Sequence, residues 1–133
     1  MSATIPDSHV ALAQSGLGAL ATLNADGHPQ VTAVSCFIDD DGGLKISINS
    51  SRHKLKNLQA RPVCTLFLMD PQNPYRTLEV RARATVGPDT DRTVTYRLLK
   101  AVGAEGMNLD ELDGPGVTRY IAELDPIKVI ASG

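Results

Sequence analysis

Short segments of alternating or wholly apolar residues, separated by turn signals, limit the folds open to this chain. The first two, Leu17–Leu23 and Gln30–Ile38, flank Asn24-Ala25-Asp26-Gly27, a turn typical of β-hairpins. A second turn at Asp39–Gly43 leads into a third strand, Leu44–Asn49. Closely spaced strands in hairpin order favour an antiparallel barrel over a parallel sheet. We therefore predict a mainly β protein, with about six antiparallel strands in a small barrel and peripheral helices.

The second half of the chain supplies the remaining predicted elements. The predicted strands are Val63–Met69, Tyr75–Val86 and Ile127–Ala131, and the predicted helices are Ser8–Gln14, a basic segment that ends before Pro62, Asp89–Val102 and a short turn at Val117–Ala122. Val63–Met69 is a run dominated by apolar residues, which predicts a buried strand. The long strand alternates, and Leu78, Val80, Ala82 and Ala84 fall on one predicted core face.

Composition narrows the class of protein. A length of 133 residues suits one domain, 1–133, with a real core. The formal net charge of −2 argues against a general nucleic-acid binder, and an aromatic content of 4% leaves few stacking platforms for single strands. The N-terminus lacks a signal-peptide pattern, and no apolar run approaches the roughly 20 residues of a membrane span. We expect a cytoplasmic protein with no nucleic-acid and no membrane partner.

Cysteine and histidine spacings give no support to a metal centre. Cys36 and Cys64 lie in apolar, strand-like runs, which predicts reduced and buried thiols. The three histidines, His9, His28 and His53, are scattered without ligand spacing, so we expect no bound metal. Nothing in the sequence places a nucleophile beside a base, and catalytic residues stay unassigned.

A cationic cluster at the start of the basic helix is the strongest functional signal. It follows Ser50-Ser51 and consists of Arg52, His53, Lys54 and Lys56. A helix N-terminus already carries partial positive charge, and its free N–H groups favour an anion. No acidic residue lies between Asp41 and Asp70. The pattern predicts a phosphate-type site, although a solvated helix face paired with distant carboxylates is the alternative.

Four stretches carry a resemblance to a known family. They are Gly27–Thr32, Ile48–Leu58, Pro62-Val63-Cys64 and Asn73–Ala84. In this order they resemble the pyridoxamine 5′-phosphate oxidase-like superfamily, whose members are FMN-binding or deazaflavin-binding split β-barrels. The last stretch is similar to the pattern of the coenzyme F420-dependent branch. The resemblance is close over 17–86 and looser beyond.

The resemblance implies a set of cofactor-binding residues. Lys54 matches the basic residue that contacts the cofactor phosphate, and Asn49, Ser50 and Ser51 match the segment that lines the phosphate and its adjoining chain. The other implied positions are Gln30, Thr32 and Val34 beside the ring, Ile48 and His53 in the phosphate segment, Asn57 in the following helix and Thr77 as a ring contact.

The resemblance also implies what the site does. FMN-using oxidases of the family tend to have Arg-Lys where this chain has His53-Lys54, which favours coenzyme F420 over FMN. The family places its cofactor at the interface of a homodimer. We therefore expect an F420-dependent oxidoreductase that acts on a small-molecule substrate. The alternatives are an FMN-dependent oxidase or reductase, and a non-enzymatic flavin- or haem-binding split barrel.

Overall fold

The computed structural model describes residues 3–133, which form six β-strands and four helices. The strands are β1 (Ser15–Leu23), β2 (Pro29–Ile38), β3 (Leu44–Asn49), β4 (Val63–Asp70), β5 (Asn73–Pro88) and β6 (Arg119–Ser132). The helices are α1 (Val10–Gln14), α2 (His53–Ala60), α3 (Thr93–Ala101) and α4 (Leu109–Asp113). The predicted mainly β fold of six antiparallel strands is confirmed. Within residues 3–133, each helix is too short or too polar to span a bilayer.

The strands close into a barrel in the order β1-β2-β3-β6-β5-β4, and β4 returns to β1. One of its ladders is much shorter than the others, because β2 and β3 pair only from Cys36 to Ile38. The preceding part of β2, Pro29–Ser35, pairs with β1 alone. A strand edge without a neighbour presents free N–H and C=O groups. The barrel is therefore split between β2 and β3, and α2 begins beside this split.

Inward-facing side chains of every strand fill the barrel. Among the least exposed are Leu20, Ile46, Ile48, Leu66, Leu78 and Val80. The alternation predicted for the long strand is confirmed, since Leu78, Val80, Ala82 and Ala84 are all buried. Helix α2 adds Leu55 and Leu58 to the same core. Burial of this apolar surface is the main term that stabilises the fold and fixes the position of α2.

Two predictions from the second half of the chain are wrong. Val63–Met69 was expected to be a buried strand, but Phe67 and Met69 are exposed. Val117–Ala122 was expected to contain a helical turn, but β6 begins at Arg119 and extends through this segment. Ala122 pairs with Ile46 on one side and Val86 on the other. Ladders on both sides of β6 outweigh the weak local preference of the segment.

An ion network at the end of β2 holds α3 against the barrel. The Asp39 carboxylate accepts hydrogen bonds from Arg97 Nε and Nη2 at 2.9 and 2.8 Å, and from Lys45 Nζ at 2.8 Å. The Asp39 side chain is only 3% exposed. The Arg97 guanidinium, with help from Lys45, holds the pKa of Asp39 well below its usual range despite burial.

A second set of polar contacts fastens α3 to β3. Asp89 accepts from the backbone N–H of Thr95 at 2.8 Å and from its hydroxyl at 2.7 Å. The same Thr95 oxygen lies 2.7 Å from Ser47 Oγ. These bonds satisfy amides at the start of α3, which would otherwise lack partners. The helix is thereby fixed over β3, where it forms one wall of a pocket.

Replacement of Asp39 should destabilise the fold far more than replacement of its exposed neighbour. Asp39→Ala leaves Lys45 buried without its closest carboxylate, which should cost about 3 kcal/mol of unfolding free energy. Asp41→Ala removes an exposed partner of the same lysine and should cost much less, because solvent screens that pair. Urea unfolding at pH 7 measures both values. Equal losses of unfolding free energy in the two variants would contradict a larger contribution from the buried Asp39–Lys45 pair.

The same comparison has a defined pH dependence. Because the folded-state pKa of Asp39 is depressed, its contribution is present above the ordinary aspartate range and is lost as pH falls through the folded-state pKa. The stability difference between wild type and Asp39→Ala should therefore shrink in acid.

Candidate functional site

The end of β3 and the start of α2 form a tight turn at the split in the barrel. The Asn49 side-chain oxygen accepts from Ser51 N at 3.1 Å and from Ser51 Oγ at 2.6 Å. Ser50 bonds to Thr118 through its backbone N–H and its hydroxyl, at 2.8 and 3.0 Å. These contacts fix the direction in which the chain enters α2. The N-terminus of α2 is therefore held beside the open edge of β2.

The start of α2 carries positive charge that the chain does not neutralise. Arg52 is the N-cap residue, no side chain caps the helix, and its first turn has no acidic residue. Across residues 3–133, no carboxylate lies within salt-bridge distance of Arg52, His53, Lys54 or Lys56. Pairing with distant acids, the alternative interpretation of this cluster, is therefore not observed. Free amides and free cations together suit an anion.

Lys54 is the most constrained member of the cluster. Its Nζ donates to Thr32 Oγ1 at 3.1 Å, across the split from α2 to β2. Partial burial lowers the pKa of Lys54, and repulsion from Arg52 and Arg119 lowers it further. A bound anion would offset both effects. The side chain is thus held in an unfavourable environment that a ligand can improve.

Two adjoining cavities open at the split. The first, called the α2 pocket, has a volume of about 450 Å³ and is lined by polar side chains of β2 and the start of α2. The second, called the α3–α4 pocket, has a volume of about 280 Å³ and lies between β2, β3 and the α3–α4 segment. Ala33, Arg52 and Lys54 line both. The cavities are therefore compartments of one cleft.

Most of the predicted site residues line one or both of these compartments. Gln30, Thr32, Ser51, His53 and Lys54 line the α2 pocket, while Val34, Ile48, Asn49 and again Lys54 line the α3–α4 pocket. Ser50, Asn57 and Thr77 line neither. The predicted cofactor contacts of all these residues stay predictions, because the structure gives their positions without a ligand.

Asn57 has an internal role that its position in the sequence did not indicate. It is buried, and its Nδ2 lies within hydrogen-bonding distance of Thr22 Oγ1, Asn24 Oδ1 and Gln30 Oε1, at 3.1, 2.9 and 3.3 Å. Its Oδ1 accepts from Arg61 at 3.2 Å. Asn57 therefore joins α2 to the β1–β2 hairpin and orients Gln30 at the pocket.

Thr77 lies elsewhere in the chain. On β5 it pairs with Met69 of β4 and Ser132 of β6. Within one chain it does not reach either compartment of the cleft. A contact between Thr77 and the cofactor therefore depends on a second copy of the chain, as the predicted homodimer implies.

Sequence reasoning missed a buried ion pair at the α3–α4 pocket. Arg119 Nε and Nη2 donate to the two carboxylate oxygens of Asp113 at 2.7 and 2.6 Å, and both side chains are largely buried. Arg119 reaches the pocket because β6 pairs it with Asn49 of β3. No motif links the two residues, and Arg119 lay in a segment predicted to be helical. Only the pairing of β3 with β6 reveals it.

Other reactive side chains do not form a second centre. Burial raises the pKa of the Cys36 and Cys64 thiols to about 11, and both cysteines are free. Such thiols are poor nucleophiles at neutral pH. In the part of the chain that the structure describes, no group of three His, Cys, Asp or Glu residues is placed to hold a metal ion.

Comparison with protein families identifies the fold family. The family profile for pyridoxamine 5′-phosphate oxidase matches residues 5–116. The chain belongs to this family. The family includes oxidoreductases, and its split barrel binds flavin. The resemblance drawn from the sequence motifs is therefore confirmed.

Solved structures give the same fold. An F420 reductase shares 28% identity with the chain at a TM-score of 0.80, over 95% of this chain and 98% of the other. The conserved hypothetical protein Rv2991 of Mycobacterium tuberculosis is 15% identical at a TM-score of 0.73, with coverages of 98% and 86%. Protein Atu2129 of Agrobacterium tumefaciens str. C58, of unknown function, is 21% identical at 0.73, with coverages of 96% and 57%. The last two show the fold alone. A search of curated protein sequences gave no match.

The unfavourable environment of Lys54 should appear in the pH dependence of stability. Its pKa is lower in the folded chain than in the unfolded chain, so the unfolded chain binds more protons between these two values. Unfolding free energy of the wild type, relative to Lys54→Met, should therefore rise with pH up to about 10.4. Chemical unfolding from pH 8 to 11 measures this difference. A flat or falling difference would show that Lys54 is not destabilised by its surroundings.

Proposed function

We propose that the protein is an F420-dependent oxidoreductase that transfers a hydride between the deazaflavin cofactor and a small organic substrate. The observation that carries the proposal is the un-neutralised cationic start of α2, placed in the split of a flavin-binding barrel. The likeness to an F420 reductase at 28% identity supports the choice of cofactor.

The residues present suit a ligand with a phosphate and a planar ring. Lys54, Arg52 and the first amides of α2 would hold the phosphate, with the Ser51 hydroxyl beside them. The free edge of β2 from Pro29 to Ser35 offers backbone donors and acceptors to a ring edge. These groups lie along one cleft, so a single ligand can engage both.

When bound, the deazaflavin would supply the hydride chemistry. The chain itself would hold the anionic end, orient the ring beside β2 and keep water from the apolar wall of the α3–α4 pocket. Positioning of this kind accounts for a large part of the barrier reduction in many enzymes. No protein group is assigned as a proton donor, and exchange with solvent is sufficient for the proposal.

The choice between F420 and FMN rests on His53, the first residue of α2. The chain has His53-Lys54 where FMN oxidases of the family tend to have Arg-Lys. One guanidinium fewer would weaken a site for the compact phosphate of FMN. The alternatives are an FMN-dependent enzyme and a non-enzymatic flavin or haem binder, since a cationic site can hold the phosphate of F420 or FMN and the propionates of haem alike.

We also propose a homodimer formed through the outer face of β1, β2 and β4. Leu17 and Val31 on this face are 72% and 62% exposed, and Phe67 and Met69 continue the apolar surface. A contiguous apolar patch of this kind marks an interaction surface. Thr77 pairs with Met69 at the margin of this face, so a second copy docked there would approach it.

Cofactor titration tests the proposed activity. The ligand-free protein should bind F420 with micromolar affinity, measured by F420 fluorescence, and should bind FMN and haem more weakly. Lys54→Met should weaken F420 binding by about 1–3 kcal/mol, or roughly 5- to 150-fold, because it removes a charge-assisted contact. The matched control is Lys56→Met, an exposed lysine of the same helix that lines neither compartment.

The competing classes give distinct results in that titration. Tight FMN binding without an F420 response would favour the FMN-dependent alternative, and haem binding alone would favour the non-enzymatic one. Equal F420 affinity in wild type and Lys54→Met would remove Lys54 from the phosphate site. Return of the visible absorbance of the oxidised deazaflavin, when a reducible substrate is added to the reduced cofactor and the protein, would then separate an enzyme from a carrier.

The oligomeric state provides an independent test. Val31→Glu places a charge in the apolar outer face and should convert a dimer to a monomer in sedimentation velocity experiments. Tyr75→Glu adds the same charge at an exposed loop end of β5 and should leave the dimer intact. A wild-type monomer, or a Val31→Glu dimer, would rule out this interface.

A further inference from the structure

The α3–α4 pocket has a composition that phosphate binding does not explain. Leu98, Val102 and Leu109 form an apolar wall on the helix side, while Asn49 and Arg119 face them from the ends of β3 and β6. Pockets that combine an apolar wall with a few convergent polar groups are typical of small-molecule sites. The volume of about 280 Å³ lies just below the usual range of about 300–1,000 Å³ for such sites, so the compartment would take only a small molecule.

Asn49 carries a hydrogen-bond donor that the chain leaves unused. The residue is 8% exposed, and its Oδ1 is committed to Ser51 N and Oγ. Because a backbone N–H can only donate, these bonds fix the amide orientation and leave Nδ2 toward the pocket. Among the described residues, no acceptor bonds to this Nδ2. Across residues 3–133 no buried side-chain nitrogen or oxygen lacks a partner, so this Nδ2 is accessible from the pocket and can donate to an acceptor of a ligand there.

Arg119 presents a second donor beside the first. Asp113 engages its Nε and Nη2 in a bidentate pair, and its Nη1 has only a long contact of 3.4 Å to Ser47 Oγ. The bidentate pair fixes the plane of the guanidinium. Asp113 is therefore a positioning residue that keeps Nη1 directed at the pocket.

The charge of the cleft favours an anionic ligand in this compartment as well. Arg52, Lys54 and Arg119 line the α3–α4 pocket, and Asp113 is the only carboxylate among its lining residues. Asp113 is already engaged by Arg119. A phosphate in the α2 pocket would draw on Arg52 and Lys54, which leaves Asn49 Nδ2 and Arg119 Nη1 for a second group.

We propose that the α3–α4 pocket binds a small apolar molecule bearing one carboxylate, held by Asn49 Nδ2 and Arg119 Nη1. The apolar body of the molecule packs against Leu98, Val102 and Leu109. Two adjacent N–H donors match the two oxygens of a carboxylate, and the apolar wall disfavours a hydrated inorganic anion. This inference rests on the proposed function, for which it supplies the substrate class.

The test uses the ligand-free full chain and two probes that differ in one group. We expect 3-phenylpropionate to bind at least about tenfold more tightly than 3-phenylpropan-1-ol, because only the acid carries the charged acceptor. Binding is followed by calorimetry and by NMR shifts of α3 and α4 amides. Saturation with inorganic phosphate, which fills the α2 pocket, should leave binding of the acid in place.

Two variants report on this compartment separately from the α2 pocket. Asn49→Asp keeps an oxygen for Ser51 but replaces the donor by an acceptor, and should weaken 3-phenylpropionate binding at least about tenfold. Leu112→Glu, at an exposed rim position, should do the same by charge repulsion. Tyr75→Glu adds equal charge away from both compartments and should leave binding unchanged.

Each other outcome overturns the inference. Equal binding of acid and alcohol, no binding of the acid, or full affinity in Asn49→Asp and Leu112→Glu would exclude a carboxylate site here. Loss of acid binding in saturating phosphate would place the carboxylate in the α2 pocket instead. Failure of the proposed function is recognised differently, since it appears as phosphate or F420 binding that Lys54→Met does not weaken.

Discussion

The short ladder between β2 and β3 is the constraint on which the rest of the site depends. A barrel with full pairing at every seam has no free backbone edge, and its interior holds only side chains. Here β2 pairs with β3 only over Cys36–Ile38, and the N-terminal part of β2 leaves its edge open beside α2. The helix fills the interior with Leu55 and Leu58 but leaves its own N-terminus in the opening. The split in the sheet therefore opens a cleft at the surface, while the hydrophobic core stays packed.

Two kinds of polar group surround this opening: those paired within the protein and those that face the cleft without a protein partner of opposite charge. The Asn57 amide is hydrogen-bonded to the β1–β2 hairpin, and the Asp39 and Asp89 carboxylates accept hydrogen bonds from α3. These groups are paired inside the protein, so they rigidify the walls. The cations at the start of α2 and the Asn49 amide donor are not paired in the same way. The contrast between satisfied and unsatisfied groups is what distinguishes the site from the scaffold.

The strands and helices could be predicted from the sequence better than the pairing between strands. Alternation identified the core face of β5, and the turn at Asn24–Gly27 identified the first hairpin, because both patterns are local. Arg119 could not be predicted as a site residue, because its position follows from pairing with Asn49 across a separation of 70 residues. The outward position of Phe67 was missed for a related reason. A continuous apolar run has no alternation, so it does not show which face of the strand lies against the core.

The repulsion among the cations of the cleft also bears on the lifetime of the protein. A folded state that carries unpaired charge is less stable without its ligand, and a ligand that binds only the folded chain adds stability in proportion to the logarithm of its concentration. Lys54 lies near Arg52 and Arg119, and no carboxylate among the residues the structure describes is within salt-bridge distance of it. If the proposed anion binds only the folded chain, the chain without it is the form most open to unfolding and proteolysis. Under the proposed function, ligand supply as well as synthesis would then affect how much folded protein persists.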